Sequence, residues 1–126
     1  MTITKVQKIS QIGVPVKDLA RAIKFYEMQL ELPLLFNTET MAFFDCGGVR
    51  LMLTLPEKEE FAHPSSVLYF DVPDIHQAYA EFGERGVEFR ASPHCVVKNG
   101  PAETWMAFFV DTEGNTHALT SDRIVS

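Results

Sequence analysis

Apolar and polar positions along the chain fall into two periods. The stretches from Ile9 to Val16 and from Val67 to Val72 are β-like runs. Directly behind them the period changes: Leu19, Ala22, Ile23, Tyr26 and Leu30 recur at helical spacing, as do Ile75, Ala78, Tyr79 and Phe82, so each segment predicts a helix with one apolar stripe. Asp18 and Asp74 stand just before these stripes, where a carboxylate can accept a free N–H of the first turn. Pro33 is expected to stop the first helix, and Gly83 with Gly86 the second. Three further strands follow in each case, around residues 34–36, 41–44 and 49–55, then 87–91, 104–110 and 116–120. The last two of each set are joined by glycine-bearing turns, DCGG and DTEGN.

The two halves also match in letters. MAFFDCGGVRLMLT (Met41 to Thr54) aligns with MAFFVDTEGNTHALT (Met106 to Thr120), one residue longer in the turn, and QIGVPVKDLARAIKFY (Gln11 to Tyr26) aligns without a gap with VLYFDVPDIHQAYAEF (Val67 to Phe82). A repeat that long and in the same order means one βαβββ unit used twice. The expected fold is α+β: two tandem modules, residues 5–56 and 65–121, forming a curved mixed-sheet cup within a single 1–126 domain, with PEKEEFAHPSS (residues 56–66) as the polar linker.

Composition narrows the function classes. At 126 residues the chain fits one domain that buries about two thirds of its unfolded surface, and 46% apolar with 22% charged residues is ordinary for a globular protein. The formal charge of −6 and scattered Lys and Arg argue against nucleic acid as a partner. The N-terminal stretch is too polar for a signal peptide, and no apolar run approaches the eighteen or so residues of a membrane span, so a cytoplasmic protein without a membrane partner is expected. Cys46 and Cys95 read as two unpaired thiols in a reducing compartment.

The opening QIGVPVKDLARAIKFYEMQL and the closing WMAFFVDTEGNTHAL, on a duplicated βαβββ unit, resemble the vicinal oxygen chelate superfamily, which includes glyoxalase I, extradiol dioxygenases, fosfomycin-resistance enzymes and bleomycin-resistance proteins. The resemblance runs from about Lys5 to Ser121. It implies a homodimer, and a metal held by the first and fourth strands of each module. Carried over residue by residue, those ligand positions fall on Gln11, Met52, Val67 and Ala118. Gln11 alone could coordinate, whereas a catalytic divalent ion takes about three imidazole or carboxylate ligands. No cofactor is therefore expected.

Alternation along the strands gives the cup lining as Gln11, Gly13, Arg50, Met52, Thr54, Val67, Tyr69, Asp71, Thr116, Ala118 and Thr120. Apolar walls with sparse polar groups suit a small organic molecule. The equally weighted alternative is that Arg50 and Asp71 form an ordinary salt bridge. Parity puts His117 on the helix-covered side, as a structural histidine.

The second half also carries an insertion, SPHCVVKNGPAET, just before Trp105. His94 and Glu103 within it are candidates for a base and its orienting carboxylate, or for ligands of a displaced metal. An ordinary hairpin with a surface His and a solvated Glu is the more favoured reading. Trp105, with Phe108 and Phe109, could stack on a planar ligand, although aromatics at strand spacing are more often core.

The leading expectation is a metal-independent protein that binds a small organic molecule between its modules, with Gln11, Arg50, Met52, Val67, Tyr69, Trp105 and Ala118 as contacts. The alternative is a lyase, isomerase or dioxygenase using Fe, Ni, Zn or Mn on displaced ligands. A metal-free enzyme with His94 as base is a third.

Overall fold

The computed structural model describes residues 4–125; positions 1–3 and 126 of the expected domain lie outside them. The first module contains β1 (Gln11–Pro15), α1 (Leu19–Lys24), β2 (Leu34–Asn37), β3 (Met41–Cys46) and β4 (Val49–Thr54). The second contains β5 (Tyr69–Asp71), α2 (Ile75–Glu84), β6 (Glu88–Phe89), β7 (His94–Asn99), β8 (Ala102–Val110) and β9 (Thr116–Ile124). The fold is the α+β duplication read from the pattern of residues.

The duplication persists at the level of hydrogen bonding. In the first sheet the strand order is β1-β4-β3-β2, with β1 parallel to β4; in the second it is β5-β9-β8-β6, with β5 parallel to β9. Gly13 pairs with Met52 and Tyr69 with Ala118, the equivalent row of each copy. The inserted segment is a hairpin, as in the favoured reading, but its Glu103 is not the solvated residue expected, its side chain being only 14% exposed: β7 runs antiparallel to β8 along the same edge that β6 occupies further on, with a bulge between Cys95 and Val97. Together β6 and β7 make a bent edge strand, and the paired β8 and β9 extend to nine residues each.

Both predicted caps are present. Asp18 accepts the Arg21 N–H at 3.0 Å, and Asp74 accepts those of His76 and Gln77 at 3.0 and 3.2 Å. The helix ends differ from expectation. After α1 the chain widens into a π-helical turn over Phe25–Gln29, and Glu31, at φ 58°, ends it two residues before Pro33. Gly83 lies within α2, and Gly86 at φ 91° makes the reversal, because a left-handed residue there carries no Cβ.

Each helix covers one face of its sheet, and a single apolar core spans both modules, from Val14, Tyr26, Phe44 and Leu53 to Ile75, Phe109 and Leu119. Polar groups join the modules through the 111–115 turn. The Glu113 carboxylate accepts the Lys17 and Asp18 N–H groups, both at 2.8 Å, and is gripped by Arg21 at 2.7 and 3.0 Å. Asn115 donates to the Pro15 carbonyl and accepts from the Ser65 N–H. His117 is fully buried on the helix side with Tyr26 and Asp111, as parity predicted. Among the described residues no helix is long and apolar enough to cross a membrane.

Candidate functional site

Opposite the helices each sheet has an uncovered face, and strand register fixes what lines it. On the first sheet one row runs Phe43, Met52, Gly13, flanked by a row carrying Asp45, Arg50 and Gln11. Gln11 and Arg50 are exposed and Met52 is half-buried. The Gln11 amide approaches the Met52 sulfur at 3.7 Å, and the Arg50 guanidinium lies 5.4 Å from the Phe43 ring centre. Phe36 stacks on Phe43 at 4.6 Å, so this face is a soft apolar floor with a few polar tips.

On the second sheet the equivalent row is Phe108, Ala118, Tyr69, with the Tyr69 and Phe108 rings 6.3 Å apart. Ala118 is buried beneath them, whereas Tyr69 keeps 53% of its surface and Val67 39%. The next row runs His94, Met106, Thr120, Asp71 across the sheet. Arg50 and Asp71 form no ion pair; among the described residues no hydrogen bond or salt bridge links the two uncovered faces.

The four positions at which the resemblance implies metal ligands bear an amide (Gln11), a thioether (Met52) and two hydrocarbons (Val67 and Ala118). That donor set does not fit a divalent ion that takes imidazole and carboxylate. No group of three or more His, Cys, Asp or Glu side chains converges elsewhere among the described residues.

Trp105 does not share a face with Gln11, Met52 or Tyr69. It alternates with Met106, so it falls on the helix side with Ala107 and Phe109, where His76 meets its ring at 5.1 Å and the Arg123 guanidinium lies 4.6 Å from it. The expectation of Trp105 as a cup contact is corrected on that geometry. Glu103 is on the same side, accepting the Trp105 indole N–H at 3.0 Å and the Arg123 Nε–H at 2.9 Å. The Trp105 hydrogen bond first, and Arg123 second, hold its carboxyl below the usual range against the effect of burial. His94 lies on the uncovered face, 6.4 Å from Phe108 between ring centres, with Nδ1 3.2 Å from the Ser92 carbonyl. His94 and Glu103 are thus separated by the sheet, and they form neither a base with its orienting carboxylate nor a pair of metal ligands.

Two features had no place in the sequence reading. One is the buried chain Tyr26, Asp111, His117: the Tyr26 hydroxyl donates to Asp111 Oδ2 at 2.6 Å and lies 2.9 Å from His117 Nε2, while His117 Nδ1 accepts the Leu68 N–H at 3.4 Å. Its signal was available in the Phe-Tyr of the first helix and the Asp-x-x-Gly-Asn turn. The other is the course of the linker, which folds over the first sheet's uncovered face and leaves a cavity of about 580 Å³ between them. No local pattern reports that.

The comparisons agree with this architecture. Residues 8–119 match the family model described as Glyoxalase/Bleomycin resistance protein/Dioxygenase superfamily. A member of that superfamily from Sphaerobacter thermophilus DSM 20745 is similar in structure, with 21% identity, a TM-score of 0.77, and coverage of 92% of this chain and 98% of that one. An integron cassette protein from V. cholerae superposes with a TM-score of 0.78 at 16% identity, covering 95% and 98% of the two chains. A lactoylglutathione lyase from Agrobacterium tumefaciens does so with a TM-score of 0.71 at 17% identity, covering 93% and 95%. No curated protein matches the chain by sequence. With the family model spanning most of its length, and with its doubled βαβββ sheets, the chain belongs to the glyoxalase/bleomycin resistance protein/dioxygenase superfamily.

Proposed function

We propose that this protein binds a small organic molecule on the uncovered faces of its two sheets, and does so without the divalent metal of its metal-dependent relatives. The observation that carries the reading is the set Gln11, Met52, Val67 and Ala118 at the four ligand positions, which replaces cation-binding donors with an apolar floor and one amide. The faces around it combine aromatic and thioether walls with a few hydrogen-bonding tips, the composition that binds organic ligands by shape and orients them by sparse polar contacts. A homodimer accompanies this reading. Tyr69 and Val67 leave apolar surface exposed on the second face, and a second copy could cover it and complete the cup.

Metal analysis of the purified protein, paired with thermal unfolding, tests the proposal. Metal content well below one per chain and no rise in unfolding temperature with Fe, Ni, Zn or Mn is expected, since an ion that prefers the folded state must stabilise it. Near-stoichiometric bound metal, or a divalent ion that raises the unfolding temperature, would overturn the metal-independent reading.

A further inference from the structure

We propose that the first module and the 56–66 linker together form a self-contained pocket for an uncharged, largely apolar small molecule, and that Gly13 is the residue that keeps it open. The inference rests on the small-molecule reading above and assigns the site to one half of the cup.

Gly13 and Tyr69 occupy equivalent positions, each beside the equivalent fourth-strand residue, Met52 or Ala118. In the second module the Tyr69 ring covers its row and rests near Phe108. In the first module nothing takes that place. Gly13 is absent from the glycines with positive φ, so the backbone does not require it. A Cβ built there meets the Met52 terminal methyl at 3.5 Å, an ordinary van der Waals contact. What the missing side chain leaves is space, and the cavity of about 580 Å³ lies against it.

The walls specify the ligand class. Met41 and Met52 from the sheet, Leu55 just beyond it and Phe61 from the linker are the large apolar groups, and the two methionines are flexible and polarisable, able to conform to a flat apolar body. Glu57 and Lys58, adjacent and opposite in sign, are the charged residues that line it, so the pocket carries no net charge to attract an ion. Linker His63 also borders the cavity. Its Nδ1 lies 2.9 Å from the Pro64 carbonyl and donates its proton there, which leaves Nε2 as an acceptor for a ligand O–H or N–H.

The test uses two fluorescent probes with the same aromatic skeleton: uncharged N-phenyl-1-naphthylamine and anionic 8-anilino-1-naphthalenesulfonate. Wild-type protein should bind the uncharged probe in preference to the sulfonate. Gly13→Leu, which fills the space, should weaken that binding about tenfold or more while the unfolding temperature stays near wild type. Phe61→Ser, at a linker position that is 56% exposed and remote from the core, should weaken it as well and covers the case in which the leucine variant does not fold. Equal binding by wild type and both variants would overturn the assignment to this pocket and leave the small-molecule reading intact. Failure of wild type to bind either probe would sink that reading, and this inference with it. Probe binding that increases on dilution would overturn the assignment in another way, by showing that a second copy fills the cavity.

Discussion

The Tyr26 hydroxyl oxygen lies 2.9 Å from His117 Nε2, and because that hydroxyl gives its one proton to Asp111, the imidazole proton must sit on Nε2. Nδ1 is then free to accept the Leu68 N–H, so every atom of the chain is satisfied by a neutral histidine.

Burial lowers the His117 pKa below its ordinary 6.5, outweighing the opposing pull of Asp111. The unfolded chain therefore takes up a proton at a pH where the folded one does not, so stability is fully present above about pH 6.5 and declines as pH falls below it. Urea unfolding at pH 7.5 and 5.5 should show the loss. Tyr26→Phe should cost about 1–3 kcal/mol at either pH, because it strands the His117 N–H inside the core.

Glu113 gives a second pH dependence in a lower window. Burial alone would raise its pKa, but Arg21, the Asp18 and Lys17 N–H groups and the Thr112 hydroxyl outweigh it and hold the carboxyl at about 2. Its contribution is complete above the ordinary value of 4.5 and is lost as pH falls from there through about 2. Glu113→Gln should therefore unfold at lower denaturant than wild type at pH 7, and the gap should narrow toward pH 2. A gap of constant size would show that the charge is not what joins the modules.

Trp105 is the sole tryptophan, and it lies on the helix side between His76 and Arg123. Its emission maximum should stay unchanged when a ligand that does not absorb tryptophan emission occupies the first module's face, and it should change in Arg123→Ala, which removes the cation above the ring. A ligand-induced shift comparable to that of the variant would put the ligand on the wrong side of the sheet.

Gly86 turns the chain out of α2 at φ 91°, and a Cβ there would also come within 3.1 Å of the Gln29 amide nitrogen. Gly86→Ala should cost about 1–3 kcal/mol in denaturant unfolding. A neutral effect would show that the turn relaxes to another conformation.

Much of this was legible because a repeat constrains itself. The pairing of Gln11 to Tyr26 with Val67 to Phe82 fixed strand parity, and parity alone separated His117 from Ala118 onto opposite faces. Trp105 has the aromatic chemistry of a ligand contact, but the same parity groups it with Ala107 and Phe109 on the helix side. His94 and Glu103 were a different case. Their relative placement depends on the bulge between Cys95 and Val97, and one extra residue in a strand reverses the face of all that follow, which spacing along the chain does not disclose. The cavity over Gly13 is set by how residues 56–66 lie against a distant sheet, a tertiary fact with no local signature.

The turn at residues 111–115 clasps the start of the first helix, with Glu113 as its grip, although the two belong to different copies of the repeat. Severing the polypeptide between the copies would thus leave neither fragment whole: one loses the acceptor for its helix entrance, the other keeps a buried carboxylate with no cation. Duplication here has produced interdependence, and the pieces of a split gene should acquire structure only when co-expressed.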